Sequence, residues 1–130
     1  MAFNPNQVVL DGFTQHDFAF TMLISGAVTS ADLGKAVTLD TTADATVKLA
    51  ADGDPIYGRI FQIEDRSQEG VTTCTVETRF RKRLPKTAAA ITRGASVVGA
   101  GAGLVKAGLA SSKNIVLFVD EDADYVIVEQ

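Results

Sequence analysis

The sequence predicts an all-β fold: a small single-domain barrel or sandwich of short antiparallel strands with an extended N-terminal arm. Three observations carry this. Short β-rich runs recur along all 130 residues, separated by turn signals such as Asp11-Gly12, Ser25-Gly26 and Asp52-Gly53-Asp54-Pro55. No amphipathic helical period of convincing length interrupts them. The composition is that of a globular chain, 46% hydrophobic and 22% charged, long enough to bury a core without staples.

Residues 1–15 read as the arm, because Met1–Gln7 is polar apart from Phe3 and contains Pro5; residues 16–130 form the β-rich domain. Val8-Val9-Leu10 ends at Asp11-Gly12. Strands are expected over Asp17–Ile24, Ala36–Leu39 and Thr46–Leu49, the last alternating polar and apolar. In Asp52-Gly53-Asp54-Pro55, Gly53 takes a positive φ without steric cost, and Pro55 holds Asp54 extended. Ile56–Glu64 and Val71–Phe80 then pair as a long hairpin around the loop Asp65–Gly70. Their alternation puts Ile56, Gly58, Ile60 and Gln62 on one face of the first strand, and Cys74, Val76 and Phe80 on one face of the second. Thr87–Ile91 is one helical turn or loop, since a run that short does not sustain a helix. Ser96–Val98 and Leu104–Lys106 flank a tight glycine hairpin. Asn114–Val119 and Asp124–Glu129 flank the acidic turn Asp120–Asp124.

Charge is distributed in three blocks. Residues 1–65 carry three basic and nine acidic side chains, a net of −6; residues 66–113 carry nine and two, a net of +7; residues 114–130 carry none and five, a net of −5. A basic middle between acidic flanks favours association of copies with one another. Arg79, Arg81, Lys82, Arg83 and Lys86 form the one cluster that invites a partner. A sequence pI of 4.8 and a single nearby aromatic, Phe80, favour an acidic protein surface over nucleic acid, and a plain solvated face with no partner is an equal alternative.

The chemistry-bearing residues do not assemble into a catalytic or cofactor set. His16 and Cys74 are the only residues of their kinds, and Cys74 belongs on a core face. A lone cysteine forms no intrachain disulfide and fits a reducing compartment. Gly99-Ala100-Gly101-Ala102-Gly103-Leu104 lacks the sixth-position glycine of a dinucleotide fingerprint and the helix that should come after it. Asp120–Asp124 lacks the spacing of an EF-hand and reads as a solvated tip. Lys106, beside the glycine hairpin, suggests a carrier domain, but neither Met-Lys-Met nor Asp-Lys-Ala surrounds it. No apolar run reaches the length of a membrane span, and no basic residue precedes Lys35 to start a signal peptide. The expectation is therefore a non-enzyme without metal or cofactor, made in a cytoplasm, with no membrane and no nucleic-acid partner.

Val37-Thr38-Leu39, Leu49-Ala50-Ala51-Asp52-Gly53-Asp54-Pro55-Ile56-Tyr57-Gly58-Arg59-Ile60 and Arg93-Gly94-Ala95-Ser96-Val97-Val98-Gly99 resemble the small capsid decoration, or cement, proteins of tailed bacteriophages, over roughly residues 35–130. The resemblance implies a β-rich domain on the outside of an assembled head, at three-fold or quasi-three-fold positions. It would bind the major capsid protein and brace contacts between its subunits. A homotrimer is expected before a dimer. The interface is expected to use the arm, through Phe3, Asn4, Pro5 and Val8, and the basic residues Arg79, Arg81, Lys82 and Arg83. The alternative is a small β-barrel that binds single-stranded nucleic acid through Arg79–Lys86 or carries a group on Lys106.

Overall fold

The computed structural model describes residues 18–108 and 113–130. The arm, Val8-Val9-Leu10 and His16 lie outside the described residues. Among the described residues, ten strands and two single 3-10 turns are joined by loops, with no α-helix, so the all-β expectation holds. Strands β1 (Phe18–Ile24), β2 (Ala36–Leu39), β3 (Thr46–Leu49), β4 (Gly58–Arg66) and β5 (Val71–Arg79) close into a barrel in the order β1-β3-β2-β4-β5. β6 (Arg81–Pro85), β9 (Ile115–Asp120) and β10 (Tyr125–Glu129) form a sheet with β10 in the middle. β7 (Val97–Gly101) and β8 (Leu104–Ala107) form a separate hairpin.

The expected strands β2 and β3 have the bounds their sequences suggest. The long hairpin is also present: β4 and β5 pair from Arg59↔Glu77 to Arg66↔Val71, around a 3-10 turn at Ser67–Glu69. Two details differ from simple alternation. A bulge between Ile60 and Gln62 adds Phe61 to β4, which flips the parity of the rest of the strand. Ile60 and Ile63 therefore both serve the barrel core, while Phe61 and Gln62 are exposed. Phe80 is buried as expected, but β5 ends before it, and Phe80 enters a different core from Cys74 and Val76. The pairing is also not wholly antiparallel, because β1 and β3 run parallel through Leu23↔Thr46 and Ile24↔Val47.

Two apolar cores result. The barrel encloses Ile24, Val37, Val47, Ile60, Cys74 and Val76. The second core lies between the barrel wall and the β6-β10-β9 layer. It gathers Ala36, Ala50, Phe80, Leu84, Ile91, Val97, Val105, Val116, Val126 and Val128. β2 serves both: its neighbours Ala36 and Val37 point to opposite sides and are both fully buried. In β10 the run Tyr125-Val126-Ile127-Val128 is buried without alternation, as a strand covered on both faces should be.

The turn Ala51–Asp54 and the glycine hairpin interlock. Gly53 has a φ of 85°, and Asp54 closes the turn by accepting the Ala51 N–H on its carboxylate at 3.0 Å. Gly53 N–H then donates to the Gly99 carbonyl, and Gly99 N–H donates to the Asp54 carbonyl, each at 2.8 Å. This approach requires glycine at position 99, since a Cβ there would stand 2.3 Å from the Ala51 carbonyl oxygen. The hairpin tip enters the same seam, where Ala36 N–H donates to the Gly103 carbonyl and Gly103 N–H to that of Ala50.

Candidate functional surface

The basic run from Arg79 to Lys86 spans the last residue of β5, the strand β6 and the residue after it, and these positions decide what its charges do. β6 pairs antiparallel with β10, Arg81 opposite Glu129 and Leu84 opposite Val126. The pattern that conceals this strand in the sequence is its charge. The acids that answer it come from elsewhere in the chain.

Arg81 pairs with Glu129 at 3.2 Å. Lys82 reaches Glu77, its ammonium 2.9 Å from one carboxylate oxygen and 3.1 Å from the other, and also lies 5.1 Å from the centre of the Phe61 ring. Glu77 is only 2% exposed, and Arg59 meets it from the other side at 3.3 Å. Arg59 also donates to the Arg83 carbonyl at 2.8 Å, so this cluster ties the barrel to β6. The Arg83 guanidinium stacks 4.5 Å from the Tyr125 ring. A buried carboxylate is tolerated only where cations and donors surround it, and Arg59 with Lys82 meet that need for Glu77.

Lys86 is the deepest of the set. Its side chain has no exposure; the ammonium donates to the Thr87 and Ala89 carbonyls at 3.0 and 3.2 Å and pairs with Glu121 at 2.7 Å. Asp124 stands 3.6 Å away. The acidic turn therefore differs from a plain solvated tip: two of its carboxylates clasp a buried lysine. Asp120 shapes the turn by accepting the Asp122 and Ala123 N–H groups, each at 3.0 Å. Thr87–Ile91 is a loop held from within by Lys86, and no helical turn forms there.

Arg79 sits apart from the rest of the basic run. It lines an open groove of about 880 Å³ together with Lys48, Lys113 and Asp54, the polar Thr38, Thr41, Thr78, Asn114 and Gln130, and the apolar Leu39, Pro55, Ile56 and Tyr57. Gln130 fixes one wall by donating from its side chain to the Tyr57 carbonyl at 3.0 Å. Three cations against the one carboxylate of Asp54, beside four apolar side chains, suit an acidic, partly apolar chain segment. Sequence reading missed this groove because Lys48, Arg79 and Lys113 come from three distant segments; only the fold brings them together.

The remaining candidates have structural places. Cys74 is 2% exposed in the barrel, and burial pushes its thiol up to about 11. Lys106 lies within β8 rather than at the hairpin tip, and pairs with Asp52. Among the described residues no group of three or more His, Cys, Asp or Glu side chains is arranged to hold a metal ion. Among the same residues no helix is long and apolar enough to cross a membrane. Phe3, Asn4, Pro5 and Val8 lie outside the described residues. A scan against protein-family models and a search of curated proteins found no match to the chain.

Proposed function

We propose that this protein is a structural decoration protein of a tailed-bacteriophage head, bound to the outside of the shell and bracing contacts between major capsid protein subunits. The observation that carries the reading is the interlock of two segments that resemble such proteins. Leu49–Ile60 and Arg93–Gly99 are far apart in sequence, yet they meet through the paired hydrogen bonds between Gly53, Asp54 and Gly99. The wording behind the resemblance is thus one packed unit of the fold rather than scattered turns.

The charge layout gives the reading its interface. Most of the basic run is satisfied within the chain by Glu77, Glu129 and Glu121. Lys48, Arg79 and Lys113 are exposed and line one groove together with Asp54. Acidic segments of neighbouring subunits, in a trimer or on the shell, are their complement. The arm, with Phe3 and Val8, supplies the apolar contacts. Nucleic acid is the weaker reading for the basic strand, because Arg81, Lys82 and Lys86 are already paired with acids of this chain and are less available to neutralise phosphates.

The test is co-sedimentation with expanded, undecorated heads. Saturable binding is expected, weakened at high salt and abolished by deletion of residues 1–12 without loss of the fold. Full occupancy by the truncated protein would remove the arm from the account, and salt-independent assembly would remove the charge pairing.

A further inference from the structure

The barrel is closed unevenly at β1. On one side β1 pairs with β5 all the way from Phe18 to Leu23; on the other it pairs with β3 only at Leu23 and Ile24. Leu23 and Ser25 donate their N–H groups toward β3, to the Ala45 and Val47 carbonyls. Backbone alternation aims Ala19 and Thr21 the same way, and among the described residues no strand meets them there. Burial changes over the same stretch. Phe20, Met22 and Ile24 share the core-facing side of β1; Ile24 is 6% exposed and Met22 packs on the core, but Phe20 is 52% exposed. One short edge thus presents open backbone groups and an uncovered aromatic, the combination to which an extended segment adds.

We propose that the occupant of this edge in the free protein is the chain's own segment Ala2–Asn6, laid antiparallel along Ala19–Thr21 after a turn at Asp11-Gly12. Three agreements support it, and none requires the head-binding reading. Asp-Gly between Val8-Val9-Leu10 and Phe13 is a strong signal for a two-residue hairpin, with Leu10 opposite Phe13 as the hydrogen-bonded closing pair. Continued without a bulge, that register places Asn4 opposite Ala19, Phe3 opposite Phe20 and Ala2 opposite Thr21. The hydrogen-bonded positions then fall on Ala19 and Thr21, the two residues whose backbone is open. Pro5 falls opposite Phe18 at a position that needs no N–H donor, where an edge strand tolerates proline. Phe3 lands on Phe20, covering the aromatic that the barrel leaves out.

A disulfide test reads this register. Directly opposite, non-hydrogen-bonded residues stand about 4.5 Å apart at Cα, within the range a disulfide spans. In a Cys74→Ala background, Phe3→Cys with Phe20→Cys should oxidise to a cross-linked monomer, while Phe3→Cys with Ala19→Cys should not. Absence of the bond, or its formation only between chains, overturns the proposal. Hydrogen exchange in the native side chains gives an independent reading. The Ala19 and Thr21 amides should exchange at least about tenfold more slowly than in a variant lacking residues 2–6; equal rates overturn it.

Discussion

The barrel and the outer layer use charge and packing differently. The barrel core is built mainly from β-branched side chains and leaves part of β1 uncovered, with Phe20 and Phe61 both more than half exposed. The layer buries β10 on both faces and embeds a lysine, with Leu84, Val126, Ile127 and Val128 all fully inaccessible. Between them stands the Arg59–Glu77–Lys82 cluster. The basic strand thus holds the layer onto the barrel, while the open edge of β1 and the groove of Lys48, Arg79 and Lys113 lie away from it.

The comparison can be broken most severely at its centre. Leu84→Ala removes a fully buried side chain from the layer core and should cost about 2–5 kcal/mol, read as a lower denaturation midpoint. Glu77→Ala leaves Arg59 and Lys82 facing each other without their acid; a loss of about 3–5 kcal/mol is expected, in a transition that sharpens again in the Glu77→Ala/Lys82→Met double variant. Gly99→Ala forces the Ala51 turn away from the hairpin and should cost about 1–3 kcal/mol, with a falling thermal midpoint as the readout. Ile60→Val, a small trim in the barrel, should cost only about 0.5–1.5 kcal/mol.

The smallest effect belongs to Cys74. Its thiol is raised in the folded chain to about 11 from an ordinary value of 9.0. The resulting contribution to stability is therefore complete below pH 9.0 and lost as pH rises toward about 11. Below that window the thiol should resist alkylation in the folded protein and react once denatured. Rapid labelling of the native chain at neutral pH would contradict the buried barrel position. At the acid end Asp32 and Asp40 act oppositely. Hydrogen bonds, chiefly from Lys35 and Thr42 respectively, lower both carboxylates, so their contribution is present at neutral pH and lost as pH falls below the ordinary carboxylate range.

Much of this architecture is legible in sequence because local chemistry agrees with it. Gly53 and Pro55 punctuate the turn, Val71–Val76 alternates as a half-buried strand should, and the glycines of 99–103 mark the tight hairpin. Alternation fails at Phe61, where a bulge shifts parity, and a bulge has no fixed composition. It also fails at Arg81–Pro85, where charge hides a strand whose counter-ions lie at Glu77 and Glu129. Lys86 is the sharpest case. A lysine in a basic run reads as solvated, and only the return of Glu121 and Asp124 from the far end of the chain shows it to be buried. The groove of Lys48, Arg79 and Lys113 is unreadable for a related reason, since its cations converge only after the barrel closes.

The measurement that addresses the central claim most directly is cryo-electron microscopy of expanded, undecorated tailed-phage heads incubated with this protein. The account predicts added density on the outer surface at three-fold or quasi-three-fold positions, with the groove of Lys48, Arg79 and Lys113 turned toward a neighbouring subunit. Heads that remain bare at saturating protein, across low and high salt, would contradict it.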